Sequence, residues 1–326
     1  MEPKEKVFIA GSNGMVGSAI KKLLLQKGYL TNDLKGKLFS PNREDLDLLD
    51  YQAVSSWFSI HKPEIVIIAA AKVGGILANS TKPYDFIFEN LRIEINLIEA
   101  SRKFGIKKIM FLGSSCIYPR LCDQPIKEEY LLDGYLEPTN QWYAIAKIAG
   151  IKLCESLKLQ YEIDSISLMP CNLYGVGDNY SPHSSHVIPG LINKFHLAKI
   201  NKHKKVFCWG SGNPLREFLY VDDLAEAIIF ILNKWENPEI KNFFKRTSWL
   251  NVGSGVEISI KELAILIAKI IGYEGDIDWD KSIPDGTPRK ILDNSKINSL
   301  GWKPKIKLEE GLKLAINDFQ KSTYLS

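Results

Sequence analysis

The stretch KVFIAGSNGMVGSAIKKLLLQKG, residues 6–28, decides the fold. Residues 6–10 are typical of a short buried strand, and the following apolar spacing predicts a helix through Lys27 that stops at Gly28. Between them, three glycines let the backbone approach a pyrophosphate, and the helix N-terminus offers N–H groups and the positive end of its dipole. A tight strand-to-helix turn without a ligand is the alternative. The predicted dinucleotide contacts are Gly11, Ser12, Asn13, Gly14, Met15, Val16 and Gly17.

The end of the second strand bears on the choice between NAD and NADP. This strand is expected near residues 37–40 and is followed by Pro41, Asn42 and Arg43. An NAD site carries an acidic residue at this strand end to bind the ribose 2′-hydroxyl, and the strand end itself offers none. The planar guanidinium of Arg43 could instead face a 2′-phosphate. NADP is therefore favoured, with a solvated loop arginine as the alternative.

Strands and helices alternate through the first half of the chain. Their predicted positions are strands near 65–69, 108–113 and 164–169, and helices near 51–60, 84–104 and 143–159. Near-continuous apolar strands with helices between them indicate an α/β fold, a Rossmann-type doubly wound parallel sheet covered on both faces. Ligands of such sheets bind beyond the carboxyl ends of the strands. Further cofactor contacts are expected at two of these ends, from Leu112, Gly113, Ser114, Ser115, Pro170, Cys171, Asn172 and Leu173.

After Tyr174 the pattern changes to shorter elements joined by polar loops. The predictions are a helix over 187–199, strands over 206–209 and 216–221, a helix through 232 capped by Asp222 or Asp223, a capping box Ser259–Glu262 opening a helix that ends by Gly272, a loop over 284–290 and a helix over 308–320. We divide the chain into an NADP-binding domain, 1–175, and a smaller α/β substrate domain, 176–326. A segment of about 216–245 is expected to return to the first domain.

Tyr143 and Lys147 are four residues apart on a predicted helix, so their side chains point the same way. An ammonium beside a phenol lowers the tyrosine's pKa from its ordinary value of about 10, which suits proton exchange with a carbonyl. A surface helix with an incidental Tyr and Lys is the alternative. Because the strand ends converge on one crevice, the catalytic interpretation is favoured.

Composition argues against several classes of function. The 326-residue chain is 45% hydrophobic and 25% charged, and its net charge of +4 does not indicate nucleic-acid binding. Five cysteines form no CxxC pair, so we expect reduced thiols. His183 and His186 have a metal-like spacing without a third ligand, so no metal is expected. Without a bilayer-spanning apolar run or a signal-peptide pattern, a cytoplasmic location is expected.

Several motifs together resemble a known family. The glycine loop, Ser114 and the YxxxK motif at 143–147 resemble the extended short-chain dehydrogenase/reductase family. The resemblance narrows through AAAKVGGI (69–76), FLGSSCIYP (111–119), EPTNQWYAIAKIAGIKLCE (137–155), SHVIPGL (185–191), WGSG (209–212), REFLYVDD (216–223) and PDGTPRK (284–290). These segments are similar to members that convert GDP-4-keto-6-deoxy-D-mannose to GDP-L-fucose, by epimerisation at C3 and C5 followed by reduction of C4 with NADPH.

The resemblance implies a role for each candidate catalytic residue. Tyr143 would protonate the C4 oxygen, Lys147 would hold the nicotinamide ribose, and Ser114 would hydrogen-bond the C4 oxygen as it gains charge. Cys116 and His186 would exchange the protons of epimerisation, since both residue types can titrate near neutrality. By themselves, Cys116 would be a buried hydrophobe and His186 an ordinary histidine beside a helix start. His186 is also an implied cofactor contact.

The resemblance further implies the substrate contacts and a homodimer packed through the Tyr143 helix. The implied contacts with the nucleotide sugar are Lys194, Trp209, Arg216, Asp285 and Lys290. Two positions depart from the family: Asn13 stands where an arginine is frequent, and Lys194 replaces an arginine and so loses the bidentate fork. The rivals are a 4,6-dehydratase or 4-epimerase and a dinucleotide-binding regulatory subunit. The Asp-Glu pair typical of the dehydratases is missing after Ser114.

Overall fold

The first half of the chain forms alternating strands and helices, as predicted. The computed structural model describes residues 5–29, 37–182, 184–234, 243–244, 247–283 and 285–324, except the side chains of 76, 77 and 322–324. The elements of the first half are β1 (Val7–Ala10), α1 (Met15–Gln26), β2 (Leu38–Phe39), α2 (Tyr51–His61), β3 (Ile65–Ile68), α3 (Ile76–Thr81), α4 (Pro83–Lys103), β4 (Lys108–Leu112), α5 (Gln141–Tyr161), β5 (Asp164–Pro170) and β6 (Asn172–Tyr174), with 3₁₀ turns at Ser115–Ile117 and Glu128–Tyr130.

The second half consists of shorter elements. They are α6 (Val187–Ile200), β7 (Lys205–Trp209), β8 (Leu215–Tyr220), α7 (Val221–Lys234), β9 (Trp249–Val252), β10 (Glu257–Ser259), α8 (Ile260–Ile271), β11 (Asp276–Asp280), β12 (Arg289–Lys290), α9 (Ser295–Ser299) and α10 (Leu308–Tyr324). The predicted loop over 284–290 therefore ends in a short strand, and Pro284 lies outside the described residues.

The main sheet is parallel and has the strand order β2-β1-β3-β4-β5-β9. The strands β1, β3 and β4 are buried at every residue, because helices cover both faces. These findings confirm the Rossmann-type fold. The edge strand β9 was not predicted, because Asn251 interrupts its four residues and they do not form a continuous apolar run like those of β1 and β3.

A second sheet is built around β8. It pairs antiparallel with β10 and parallel with β6 and β12, while β7 and β11 form a separate parallel pair. After β8 the chain returns to the first half, where α7 packs against α1 and Lys22 pairs with Asp222 at 3.2 Å. The domain boundaries stay a prediction.

Two hydrophobic clusters accompany the two sheets. Phe8, Phe111 and Leu232 belong to the cluster around the main sheet. Phe195 and Ile267 belong to the other, between α6 and α8. Among the described residues, no helix is both long and apolar enough to cross a membrane.

One of the two predicted helix caps is wrong and the other is confirmed. Because β8 continues directly into α7 at Val221, Asp222 and Asp223 lie in the first turn rather than before it. Asp223 instead accepts hydrogen bonds from the backbone of Lys305 and Ile306, at 3.1 and 2.9 Å. The capping box of α8 forms as predicted, between Ser259 and Glu262.

Candidate active site at the carboxyl ends of the sheet

The glycine loop leaves β1 in a conformation that favours glycine. Gly11 has φ of +81°, and a Cβ there would lie 2.7 Å from the backbone of Ala70. A Cβ on Gly17 would collide with the carbonyl group of Gly11, so the third glycine allows α1 to pack against the loop. Gly14 is the exposed N-cap of α1 and has ordinary space, with Gly11 O at 3.5 Å from an added Cβ. The loop thus presents backbone at a helix N-terminus, where a pyrophosphate can bind.

The next strand end is tied to this loop. Ser12 Oγ donates to the carbonyl of Ser40 at 3.3 Å, and Asn13 Nδ2 donates to Asn42 Oδ1 at 2.8 Å. The following residue, Arg43, is exposed. Two acids follow it: Glu44 is exposed, and Asp45 accepts the N–H of Asn42 at 3.2 Å and is thus engaged with its own loop. The guanidinium of Arg43 is accordingly available beside the dinucleotide loop.

Tyr143, Lys147 and Ser114 are brought together by α5 and the end of β4. Lys147 Nζ lies 5.8 Å from the centroid of the Tyr143 ring, so the two side chains share a helix face, as predicted. Ser114 hydrogen-bonds Tyr143, and its Oγ accepts the N–H of Cys116 at 3.3 Å. Lys147 Nζ also lies 3.1 Å from Glu94 Oε1, and both side chains are almost completely buried.

The pKa of Tyr143 is raised, whereas the Tyr–Lys spacing predicts that it is lowered. Burial is the largest cause, the charges of Cys116 and Glu94 add to it, and the Ser114 hydrogen bond opposes it. The sequence-based expectation was wrong chiefly because it did not include the burial of Tyr143. It also left out Glu94, whose carboxylate pairs with the Lys147 ammonium. Tyr143 is therefore a phenol, which can donate a proton.

Cys116 lies in the 3₁₀ turn after β4, where two donors reach its sulfur. Asn140 Nδ2 is 3.4 Å and Lys290 Nζ is 3.6 Å from Cys116 Sγ. Each of the five cysteines, all in the described part of the chain, is a free thiol. Cys154 and Cys171 are buried, and burial raises the pKa of each thiol. Cys116 is half-buried and has a cation and an amide donor at its sulfur, and cysteines beside a cation are frequently reactive.

His186 is the N-cap of α6. Its side chain is exposed, yet the protein around it excludes enough water to lower its pKa. The loop before it packs on the segment after β3, where Gly75 donates its N–H to the carbonyl of Ser184 at 3.1 Å. His183 lies outside the described residues. Within those that are described, no group of three His, Cys, Asp and Glu side chains could hold a metal.

Three of the predicted substrate residues lie around β7. Lys194 Nζ is 5.3 Å from the centroid of the Trp209 ring and donates to the carbonyl of Phe207 at 2.7 Å. The Trp209 side chain is 57% exposed. Asp285 accepts hydrogen bonds from the N–H and Oγ of Ser211, at 2.9 and 2.6 Å. An exposed aromatic face therefore lies beside a cation and near an ordered carboxylate.

Arg216 and Lys290 connect this region to Cys116. They are register partners in the parallel pair β8 and β12. Burial lowers the pKa of Arg216, and the charges of Asp285 and Cys116 oppose this effect. Since Lys290 also reaches Cys116 Sγ, the predicted substrate residues and the candidate catalytic cysteine lie in one continuous site.

The predicted cofactor contacts at the ends of β4 and β5 are held by backbone pairing. Gly113 donates its N–H to the carbonyl of Leu168 at 2.9 Å. Asn172 Nδ2 donates to the carbonyl of Glu217 at 3.0 Å, so this side chain is directed towards β8. The other predicted contacts at these ends are buried or half-buried: Leu112, Ser115, Pro170, Cys171 and Leu173.

Two residues of the site were not predicted, Asn140 and Glu94. Asn140 directly precedes α5 and contacts Cys116. Glu94 occupies the buried face of α4, in line with Asn90 and Ile98. The sequence contained a signal for Glu94, because an acidic residue stands there at an apolar position of an amphipathic helix.

The fold and this site define a dinucleotide-dependent class of protein. The chain belongs to the NAD dependent epimerase/dehydratase family, whose profile matches residues 7–244.

Similar proteins narrow the class further. The chain is 51% identical over 312 residues to the putative GDP-L-fucose synthase 2 of Arabidopsis thaliana. The aligned region covers 96% of this chain and 90% of that relative. It is also 51% identical over 309 residues to the GDP-L-fucose synthase of Escherichia coli (strain K12), covering 95% and 94%. Among solved structures, MlghC, a GDP-mannoheptose C4 reductase from Campylobacter jejuni with NADP bound, has a TM-score of 0.87 at 37% identity, covering 98% of this chain and 99% of the other.

Proposed function

We propose that this protein converts GDP-4-keto-6-deoxy-D-mannose to GDP-L-fucose, by 3,5-epimerisation followed by NADPH-dependent reduction at C4. The observation that carries the proposal is a second acid–base group, Cys116, next to the reductase group formed by Ser114 and Tyr143. Relatives that are 51% identical carry the name GDP-L-fucose synthase.

NADP is the proposed cofactor, and bound NADPH would supply a hydride to C4. The glycine loop fits a pyrophosphate, because Gly14 is exposed at the N-terminus of α1 and Gly17 keeps that helix close. Arg43 would face the 2′-phosphate, and Lys147 and His186 would contribute contacts further along the cofactor. Bound NADP in the C. jejuni relative supports this assignment.

In the reduction, Tyr143 would donate its phenolic proton to the C4 oxygen as the hydride arrives. Burial and the neighbouring charges raise the pKa of Tyr143 and hold this proton in place. Ser114, hydrogen-bonded to Tyr143, would donate to the same oxygen while negative charge develops there.

In the epimerisation, Cys116 would remove the proton from the carbon next to the C4 ketone, and Ser114 would stabilise the enolate oxygen. Asn140 and Lys290 direct their donors at the sulfur and so support its negative charge. His186 would return a proton from the opposite face. Exclusion of water lowers the pKa of His186, so its ring gives up a bound proton readily but carries that proton for a smaller share of the time near neutral pH.

The GDP-sugar would bind across the second sheet. Trp209 offers an aromatic face to the substrate, Lys194 is stacked on that tryptophan, and Asp285 is ordered nearby. Arg216 would neutralise the diphosphate. The contact with Cys116 supports a second role for Lys290, in the acid–base group itself.

A homodimer packed through α5 is a further part of the proposal, and a cytoplasmic location stays a prediction. Exposed apolar side chains on α4 and α5 support the interface: Tyr84, Phe88, Ile95, Trp142 and Ile145 are between 38% and 68% exposed. Sedimentation of the purified protein tests the dimer.

The decisive experiment supplies GDP-4-keto-6-deoxy-D-mannose and NADPH in D₂O and identifies the product by NMR. The expected product is GDP-L-fucose with deuterium at C3 and C5, formed with one NADPH consumed. Reduction without deuterium at these carbons would contradict the epimerase half of the proposal. Turnover without NADPH consumption would contradict the reductase half and favour a 4-epimerase or dehydratase.

A second candidate is reduction of a GDP-4-keto-heptose at C4, supported by the structural similarity to the C. jejuni GDP-mannoheptose C4 reductase. The kcat/KM for a GDP-4-keto-heptose, measured against that for GDP-4-keto-6-deoxy-D-mannose, separates the two. We expect the deoxy sugar to be preferred.

A further inference from the structure

Glu94 is a buried carboxylate to which the proposed reaction assigns no role. It lies in the middle of α4 and has no exposed surface. Apart from the ion pair with Lys147 at 3.1 Å, neither carboxylate oxygen has a hydrogen-bond partner among the described residues. A buried charge is costly unless it is paired, so Lys147 is the group that makes Glu94 tolerable in the core.

The Lys147 side chain is also held in place by its neighbours. Its Nζ is 4.7 Å from the centroid of the Phe111 ring and 5.8 Å from that of Tyr143. Gly150, one turn further along α5, leaves room for the carboxylate, because a Cβ there would lie 2.8 Å from Glu94 Oε2. The ammonium is thereby enclosed between Glu94 and two aromatic rings.

The titratable groups in and around this pair come from three elements. α5 contributes Lys147, Tyr143 and Cys154, α4 contributes Glu94, and the 3₁₀ turn after β4 contributes Cys116. Burial raises the pKa of Glu94 to about 7, and Lys147 opposes that rise. The carboxylate in turn contributes to the raised pKa of Tyr143.

We propose that Glu94 is a positioning residue that acts through Lys147. Its carboxylate holds the Lys147 ammonium beside the Tyr143 ring. By neutralising that ammonium, Glu94 also keeps Tyr143 in the phenol form that donates a proton to the C4 oxygen. The inference rests on the proposed reduction. Without Glu94, the ammonium would act on Tyr143 alone and would favour the phenolate. Tyr143 would then lose its proton at a lower pH.

A double-mutant cycle on the free protein tests the pair without any substrate. The variants are Glu94→Gln, Lys147→Met and both together, with Glu99→Gln as the control because Glu99 forms a half-exposed ion pair with Arg102 on the same helix. Each single variant is expected to lower the thermal midpoint by leaving one group unpaired in the core. The double variant should lose less than the sum of the two losses, and the control should change little. If the two falls in thermal midpoint simply add in the double variant, the proposal is overturned. Because no substrate is present, this outcome does not depend on which substrate the protein uses.

The pH profile of NADPH oxidation tests the effect on Tyr143. In Glu94→Gln the alkaline limb of kcat/KM should move to lower pH by about one unit or more, with KM for the sugar unchanged. Glu94→Asp keeps the charge and should keep the limb near its original position. A Glu94→Gln profile that superimposes on the original would overturn the proposal. If Glu94→Gln does not fold, the double variant with Lys147→Met should still fold, and its failure to do so would count equally against the proposal.

Discussion

Alanine at Gly17 and alanine at Gly14 should damage different properties of the protein. A Cβ on Gly17 would meet the carbonyl oxygen of Gly11, its carbonyl carbon at 2.6 Å and Ser12 Cα at 2.8 Å. All three are backbone atoms, so no side chain can rotate out of the way. A Cβ on Gly14 would have Gly11 O at 3.5 Å, an ordinary contact, and Gly14 has a φ of −76° that alanine adopts freely.

The magnitudes follow from this difference in space. Overpacking a rigid site costs about 1–3 kcal/mol, and Gly17→Ala belongs at the upper end because α1 must move away from β1. At about 2 °C per kcal/mol for a chain of this size, the thermal midpoint should fall by about 6 °C. Gly14→Ala should cost about 1 kcal/mol or less. Its methyl group would instead stand where the pyrophosphate approaches the backbone, so NADPH should bind about tenfold more weakly or worse.

Thermal unfolding followed by circular dichroism gives the first quantity, and titration of NADPH fluorescence gives the second. We expect Gly17→Ala to lose stability and Gly14→Ala to keep its stability while losing affinity. Equal thermal midpoints for the two variants would refute the packing argument. Unchanged NADPH affinity in Gly14→Ala would refute the assignment of the loop to the pyrophosphate.

Three further predictions concern the proposed catalytic groups and one half-buried acid. Tyr143→Phe should lower kcat for NADPH oxidation by about 10²–10⁴-fold without weakening NADPH binding, and unchanged turnover would contradict its role as the acid. Cys116→Ser should block deuterium entry at C3 and C5 in D₂O while leaving the thermal midpoint unaltered; normal exchange would exclude Cys116 as the base. Burial raises the pKa of Asp178 from 3.8 to about 7, so the folded state binds this proton more tightly than the unfolded chain does. Stability should therefore fall as the pH rises from about 4 to about 7. Asp178→Asn should remove most of that fall in urea titrations at several pH values, while the exposed Asp133→Asn leaves it in place.

Local patterns were enough to predict most of the main sheet and much of the candidate site. The glycine loop between β1 and α1, the buried strands β3 to β5 and the capping box of α8 are each specified by residues close together in the chain. The Tyr143–Lys147 pair was also predictable, since a helix alone places residues four apart on one face. Neighbours in sequence carry this information because helix and strand periods are local properties.

Contacts between distant residues were decided by the tertiary structure. The short strand β9 is recognisable by its pairing with β5. Asp223 could have capped α7, but β8 runs straight into that helix and the carboxylate binds Lys305 and Ile306 instead. No local pattern pairs a residue of β12 with the 3₁₀ turn after β4, yet Lys290 reaches Cys116.

The largest difference concerns the charge state around Tyr143. From sequence spacing alone, Lys147 should lower its pKa. In the fold, Glu94 comes from another helix to pair with Lys147, and burial together with Cys116 and Glu94 raises the pKa of Tyr143. Sequence spacing therefore predicted the proposed proton donor, whereas its affinity for the proton depends on burial and on charges that only the folded chain brings near.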